Sequence, residues 1–450
     1  MTTLIFNTDK ALGPSAARRF LADYGMVVVL LLLALLFSLL TISPQHPTGY
    51  NAGKELAGQV AQEFGSGDTV LIVLRDTAGD RAFGNIAAES LEKSGLEVVG
   101  QVHGGPAATR TAIEKALAAG KTIDVVLANN VTAKWNVYER YPEVGASKVR
   151  QPNSHYWPTF LKPTNLLGVA NQTAIYAIIA IGMTMVIITA GIDLSVGSLV
   201  ALSSVTSALL IRDLASGADS SVTATLFSCL AALFVCAMAG GFTGVMVTLF
   251  KIPPFIVTLA VMMMASGLAF RLSAGRSIPE LPHSFLWIGG ATTLGIPNPV
   301  LLMMVLYAIA HIVMSRMTFG RYVYAIGGNA EAARLSGVPV AAVLLAVYTI
   351  CGALAGLGGI VLTSQLAAGD PKFGLMYELE VIAAVVVGGT SLMGGEGKIF
   401  GTLIGAFIIA VIKNGMNLTN VDPFNQKIVL GAVLLAAVLL DTLKRRSMKQ

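Results

Sequence analysis

Apolar residues gather into long blocks separated by short polar turns, once near the start of the chain and then repeatedly from residue 163 onward. A bilayer core of ~30 Å is crossed by about 20 helical residues. Ten segments meet or approach that length: 23–43, 165–189, 192–211, 222–249, 253–270, 298–315, 340–364, 378–390, 400–418 and 426–442. The eighth is short and reads as re-entrant or as leaning on its neighbours. Between the first two blocks the period changes. TVLIVL (69–74), LEVVGQV (96–102) and IDVVLANN (123–130) read as strands; DRAFGNIAAESLEKSG (80–95) and ATRTAIEKALAAGK (108–121) read as amphipathic helices. Strands alternating with helices predict βαβ units on a parallel sheet. The insert has the size of half a doubly wound domain, so it is expected to need a further surface to cover both faces of its sheet.

The pattern divides the chain into a cytoplasmic N-terminus with a first span (1–43), an α/β insert (44–163), a transmembrane domain (164–443) holding a cytoplasmic loop at 317–340, and a cytoplasmic tail (444–450). The first block runs from Tyr24 to Ile42. It is longer than the roughly 7–15 apolar residues of a signal peptide and is followed by no small-residue cleavage site, so it reads as a retained span.

Composition supports a polytopic membrane protein. Apolar residues make up 54% and charged residues 12%, about half the ~25% charge of soluble domains. The 47 glycines suit helices that approach closely in lipid. A net charge of +5 is too small to call for nucleic acid. With the N-terminus inside, the cytoplasmic short loops and tails hold twelve Lys and Arg and the opposite ones six. That bias places both termini in the cytoplasm. The twelve Lys and Arg of the insert do not oppose this, because long loops translocate regardless of charge. Cys229, Cys236 and Cys351 lie in apolar stretches without metal-type spacing, so neither disulfide nor metal is expected. Gly120-Lys121-Thr122 and Gly397-Lys398 lack the leading glycine of a P-loop, so nucleotide binding through a Walker motif is excluded.

Three stretches carry candidate chemistry. TAGIDLSVGS (189–198) sets Asp193 between two uncharged runs. An ionisable residue within a span is costly and faces a partner or a cavity. Gly191 and Gly197 permit a broken helix; Ser195 and the Asp193 carboxylate can satisfy freed backbone groups, with Asp193 as N-cap, as part of a gate, or as both. Asn171 and Gln172 supply polar side chains to the preceding span. The second stretch, YAIGGNAEAARLSGVPV (324–340), holds a short helix that Asn329 can cap, with Glu331 in its first turn and Gly337 closing it. Ala332 and Ala333 keep it slim enough for a partner's groove, and so short a helix gains from docking. The third, GGTSLMGGEGKIFGT (388–402), is a glycine-rich hairpin, either hinge or tight packing. Finally, AGIDLSVGSLVAL (190–202) aligns with AAGDPKFGLMYEL (367–379), pairing Asp193 with Asp370 and Gly197 with Gly374. On opposite membrane faces, two such copies would form an inverted repeat.

GMTMVIITAGIDLSVGSLVAL, YAIGGNAEAARLSG and YELEVIAAVVVGGTSLMGGEGKIFGTLIGA together resemble the permease subunits of bacterial ribose, xylose and galactose ABC importers, over about Leu161 to Asp441. The resemblance implies an all-α polytopic fold of the cobalamin-permease kind with about ten transmembrane helices, here carrying a small α/β periplasmic insert, in the bacterial inner membrane. It implies a homodimer, a separate cytoplasmic ATPase, a periplasmic sugar-binding protein and no cofactor. It implies a coupling segment at 324–340, with Gly328, Asn329, Glu331, Ala332, Ala333, Arg334 and Gly337. Asp193, Ser195, Gly191, Gly197, Asn171 and Gln172 are then pathway or gate candidates, and Gly388, Gly389, Gly394, Gly395 and Gly397 the hinge hairpin. No residue is expected to be catalytic or to bind a metal. The insert departs from that family and looks like part of a sugar-binding protein's C-terminal lobe. Alternatives are an importer of branched-chain amino acids or nucleosides, a membrane sensor using the insert, and an ion-coupled carrier using Asp193 with Glu378 and Glu380.

Overall fold

The computed structural model describes residues 14–142, 144, 148–214 and 217–448. The chain opens with helix α1 (Pro14–Leu40) and enters a compact unit spanning Ile42–Pro158. This unit contains β1 (Ile42–Gln45), α2 (Gly49–Glu63), β2 (Thr69–Leu74), α3 (Ala78–Lys93), β3 (Glu97–His103), α4 (Pro106–Ala118), β4 (Val125–Ala128), β5 (Val149–Arg150) and β6 (His155–Pro158). Strands β3, β2, β4 and β5 lie side by side in that order, all parallel. β1 and β6 pair antiparallel.

Every residue of β2 and β4 is buried, as a sheet covered on both faces requires. Alternation divides their side chains. Val70, Ile72 and Leu74 join Leu56, Val60, Phe83 and Leu91 of α2 and α3, whereas Leu71 and Val73 join Ile113, Ala116 and Tyr138 on the other side. The expectation that the insert needs an outside surface is therefore corrected: α2 and α3 together cover one face, and α4 with Tyr138 covers the other. The buried side of α2 consists of Ala52, Gly53, Leu56, Ala57 and Val60. A Cβ on Gly53 would strike the Phe83 carbonyl, so α2 sits closely on α3.

At the carboxyl ends of β2 and β4, where ligands enter open α/β sheets, Asp80 is 2% exposed. Arg75 Nε donates to its Oδ2 at 2.9 Å and Asn129 Nδ2 to its Oδ1 at 3.0 Å. Thr132 Oγ donates to the Val73 carbonyl at 2.7 Å. The crevice is closed by its own polar groups.

The second unit takes the chain up to Thr41 and from Thr159 onward. It continues with α5 (Pro163–Ile188), α6 (Val196–Leu214), α7 (Val222–Thr248), α8 (Pro254–Leu272), α9 (His283–Gly290), α10 (Asn298–Arg316), α11 (Thr318–Gly328), α12 (Ala330–Leu335), α13 (Val340–Leu366), α14 (Tyr377–Val387), α15 (Ile399–Leu418) and α16 (Pro423–Met448). Among the described residues seven helices, α5 to α8, α10, α13 and α15, are long and apolar enough to cross a membrane. The described apolar parts of α1 and α16, Gly25–Leu40 and Pro423–Leu439, are shorter. The chain is a polytopic helical membrane protein.

The most apolar window of α5 is 83% buried and those of α7 and α8 only 28%. α5 is thus central and the other two peripheral. α13 lies against α5, α6 and α7 through small residues. A Cβ on Gly240 of α7 would meet the Tyr348 carbonyl, and one on Gly352 of α13 the Cys236 carbonyl. Such contacts replace the hydrophobic drive that lipid cannot supply. Cys229, Cys236 and Cys351 are buried and free.

At 11 residues, α14 is about 16 Å long, half the ~30 Å core. The non-helical chain before it, 367–376, is held by protein groups. Gly369 exchanges backbone bonds with Ile278 at 2.7 and 2.9 Å, and Asp370 N donates to Ser204 Oγ at 3.1 Å. Irregular backbone at membrane depth is tolerated only where such partners exist.

Candidate functional site

α5 ends at Thr189. Ala190 turns left-handed at φ 61°, and Gly191 N–H returns to the Val186 carbonyl at 3.0 Å. A Cβ on Gly191 would collide with Tyr348 Oη, so this turn requires glycine. The Asp193 Oδ1 accepts from Ser195 N at 2.9 Å and from Ser195 Oγ at 2.6 Å. The first bond of α6 runs from Leu199 N to the Ser195 carbonyl at 2.9 Å, which makes Ser195 the N-cap. This corrects the sequence reading: Asp193 braces the cap from two residues upstream instead of being it. Asp193 and Ser195 are fully buried. Asp193 Oδ2 has no nitrogen or oxygen hydrogen-bond partner; the Cys351 thiol of α13 lies against this carboxyl, and a thiol is a weak donor.

The aligned stretch repeats the turn: Asp370 Oδ1 accepts from Lys372 N at 2.8 Å. The aligned glycines meet. A Cβ on Gly197 would strike the Gly374 carbonyl, and one on Gly374 the Gly197 carbonyl. Gly374 also adopts φ 76°. Glu378 of α14 lies over the same spot on Gly197. The start of α6 and the lead-in to α14 therefore cross backbone to backbone.

On α12, Asn329 Oδ1 accepts from Ala332 N at 3.0 Å, and Gly337 closes the turn at φ 85°. Glu331 and Arg334 pair through Nε at 3.1 Å and Nη2 at 2.5 Å. Both are 65% exposed. The Arg334 guanidinium holds the Glu331 carboxyl below its ordinary range. Ala332 is exposed, whereas Ala333 is buried against the bundle. Leu335 at the tip is 78% exposed. Just before α12, a Cβ on Gly327 would run into the Ile188 carbonyl and the Gly395 nitrogen. Gly395 N donates to that carbonyl at 2.8 Å, and Tyr324 Oη donates to the Gly397 carbonyl at 2.8 Å. The end of α11, the 388–397 hairpin and the end of α5 thus meet through backbone atoms; Gly328 closes α11 beside them.

The hairpin glycines divide into two uses. Gly389, Gly394 and Gly395 have φ of 84°, 83° and 77°, a left-handed region that favours glycine. Gly388 is ordinary helix end, and its position is fixed by packing on Gly401 and Thr402 of α15. Gly397 packs against Thr390 and Ile188.

A cavity of about 250 Å³ opens among α5, α13, α14 and α15. Gln172 lines it, and Asn171 accepts from the lining Gln365 at 3.1 Å. Asp193, Ser195, Gly191 and Gly197 do not line it. Sequence reasoning singled out Glu380 at its centre but not the partner, Lys413. Lys413 Nζ bonds Glu380 at 3.0 and 2.9 Å and stands 5.1 Å above the Tyr176 ring. The Tyr176 and Tyr377 rings are 4.5 Å apart. A glutamate in block 378–390 and a lysine in block 400–418 were the available signal. Among the described residues no cluster suits a metal.

The model of the branched-chain amino acid transport system permease component matches residues 165–438, so the insert lies outside it. The ribose import permease protein of Escherichia coli (strain K12) is 41% identical over 292 residues, 64% of this chain and 88% of that protein. That of Bacillus subtilis (strain 168) is 45% identical, covering 64% and 87%, and the L-arabinose transport system permease protein of Escherichia coli (strain K12) is 36% identical, covering 64% and 86%. No solved structure matches. With a family model covering more than half of its length, and a bundle of membrane-crossing helices underneath that match, the chain belongs to this family of transport-system permease components.

Proposed function

We propose that the chain is the membrane-spanning subunit of an ATP-binding-cassette importer that passes a monosaccharide of the ribose, xylose or galactose class, delivered by a periplasmic binding protein, with ATP hydrolysed on a separate cytoplasmic subunit. What carries the reading is the similarity to ribose and arabinose permeases over nearly their whole length. In this reading α1, α14 and α16 join the seven longer helices as ten spans of the cobalamin-permease kind. Both termini are cytoplasmic, the insert is periplasmic, and two copies form the pore. The alternative substrate class, branched-chain amino acids, is favoured only by the wording of the family description.

Coupling runs through α12. The ATPase receives the exposed Glu331–Arg334 face and Leu335, while Gly328, Asn329 and Gly337 fix the ends of that helix. Because Gly327, Gly395 and Ile188 touch through backbone, a displacement of α12 has no soft side chain in which to dissipate. It is passed to the 388–397 hairpin and to the α5–α6 turn that holds Asp193. There the Gly197–Gly374 crossing is the element that changes between inward- and outward-open states. Glu331→Lys tests this. ATP-driven sugar uptake in proteoliposomes is expected to fall at least tenfold, with unchanged detergent-solubilised yield. Undiminished uptake removes α12 as the coupling element.

A further inference from the structure

The cavity among α5, α13, α14 and α15 carries a Lys–Glu pair that neither the coupling path nor the Gly197–Gly374 crossing uses. Ionisable groups within spans mark substrate paths by default, and a buried pair is weak evidence for stability. Lys413 and Glu380 are 30% and 22% exposed, so they face the open space from partly covered positions. Their charges cancel, and Lys413 is further held above Tyr176. A ligand that brings its own charges would have to separate this pair. A neutral ligand with several hydroxyls would not, because each hydroxyl both donates and accepts. The lining supplies further polar groups: the Gln172 amide, and the amides of Gln365, Asn414 and Asn417, which are engaged with Asn171, Asn165 and Gln426 and keep part of their hydrogen-bonding capacity.

Deeper in, Ile175, Leu362 and Ile409 give apolar walls, and the Tyr176–Tyr377 pair gives ring faces for the C–H side of a sugar ring. At ~30 Å³ per water, the volume corresponds to about eight waters, which suits one monosaccharide and not a disaccharide. The cavity lies at the end of the bundle near Phe160, as the Asn165 amide bonds both the Phe160 carbonyl at 2.9 Å and Asn414 at 3.0 Å.

We propose that this cavity is a low-affinity subsite for a single neutral monosaccharide, built inside one protomer and recognising the hydroxyls through the Lys413–Glu380 pair and the surrounding amides. The proposal rests on the permease reading and deepens it. Weak binding follows from function, since a conducting site must release what it accepts.

The test places a reporter in the wall. Ala410→Cys puts a thiol on the lining, and maleimide labelling is followed in the full chain in lipid nanodiscs, the native cysteines being buried. D-Ribose at tens of millimolar is expected to slow labelling at least threefold, and L-leucine at equal concentration to leave it unchanged. Adding Gln172→Ala, a residue exposed at the mouth, is expected to weaken protection about fivefold without altering unprotected labelling. Failure of ribose, arabinose and galactose alike to protect overturns the subsite, as does protection by leucine alone. ATP-driven uptake of the same sugars with the partner subunits is measured in parallel. Uptake without protection refutes the subsite and leaves the permease reading intact, whereas absent uptake strikes that reading itself.

Discussion

Asp80 in the insert and Asp193 in the membrane unit are both buried carboxylates, yet they are held in opposite ways. Both oxygens of Asp80 are occupied by Arg75 and Asn129. Asp193 accepts nitrogen and oxygen donors through Oδ1, whereas its buried Oδ2 has no such partner. Leaving a buried acceptor unsatisfied costs about 1–3 kcal/mol, a strain that persists where function needs a second arrangement. The insert is built like a finished domain, closed at the crevice where a ligand would enter. The membrane unit is built from backbone crossings with polar groups held in reserve. Rigidity belongs to the first and rearrangement to the second.

The strongest way to break that contrast is at the glycine crossing. Gly374→Val adds atoms where even a Cβ meets the Gly197 carbonyl, and the left-handed backbone there resists a β-branched residue. Folded yield in detergent and uptake are both expected to fall more than tenfold.

Asp193→Asn asks about the spare oxygen alone. Asparagine keeps an acceptor for Ser195, so thermal stability is expected to stay within about 1 kcal/mol of the parent while uptake drops roughly fivefold. Asp193→Ala removes the brace too and is expected to cost about 1 kcal/mol besides. Equal uptake in the Asn variant assigns Asp193 a purely structural role.

Asp80→Ala is the counterpart in the insert. It leaves Asn129 Nδ2 buried without its acceptor, and is expected to destabilise the insert by about 1–3 kcal/mol. Limited proteolysis should then cut within 42–158 at lower denaturant concentration, with uptake changed less than about twofold. A large transport defect would show that the insert works in the cycle.

The smallest effect concerns pH. Arg334 lowers the Glu331 pKa from 4.5, so the pair is intact above that ordinary value and is lost only as pH falls through the lowered one. Uptake between about pH 5.5 and 8 should therefore show no step from this group.

Much of this was legible in the sequence where the cause is local. The long apolar helices, the period change at the insert, and the Asn329 cap three residues ahead of Ala332 depend on neighbours along the chain. The aligned Asp-x-x-x-Gly pairs even anticipated which glycines repeat, though not that Gly197 and Gly374 touch. What escaped depends on distant partners. Glu380 and Lys413 lie 33 residues apart on two helices, and only their packing brings them together. α2 was passed over because three of its five buried residues, Ala52, Gly53 and Ala57, are small and only Leu56 and Val60 are large. Ser195 was passed over as the cap because Asp193 is the more conspicuous residue, and only the Leu199 bond separates them.

The central claim is that this chain is a conduit in lipid whose energy comes from another polypeptide. Its most direct test is uptake of labelled ribose into proteoliposomes containing the chain alone, or the chain with its ATPase and binding protein, with ATP supplied on the cytoplasmic face. The account predicts ATP-dependent accumulation only in the complete assembly and no nucleotide hydrolysis by the lone chain. Accumulation against a gradient, or ATP turnover, by the purified chain on its own would contradict it.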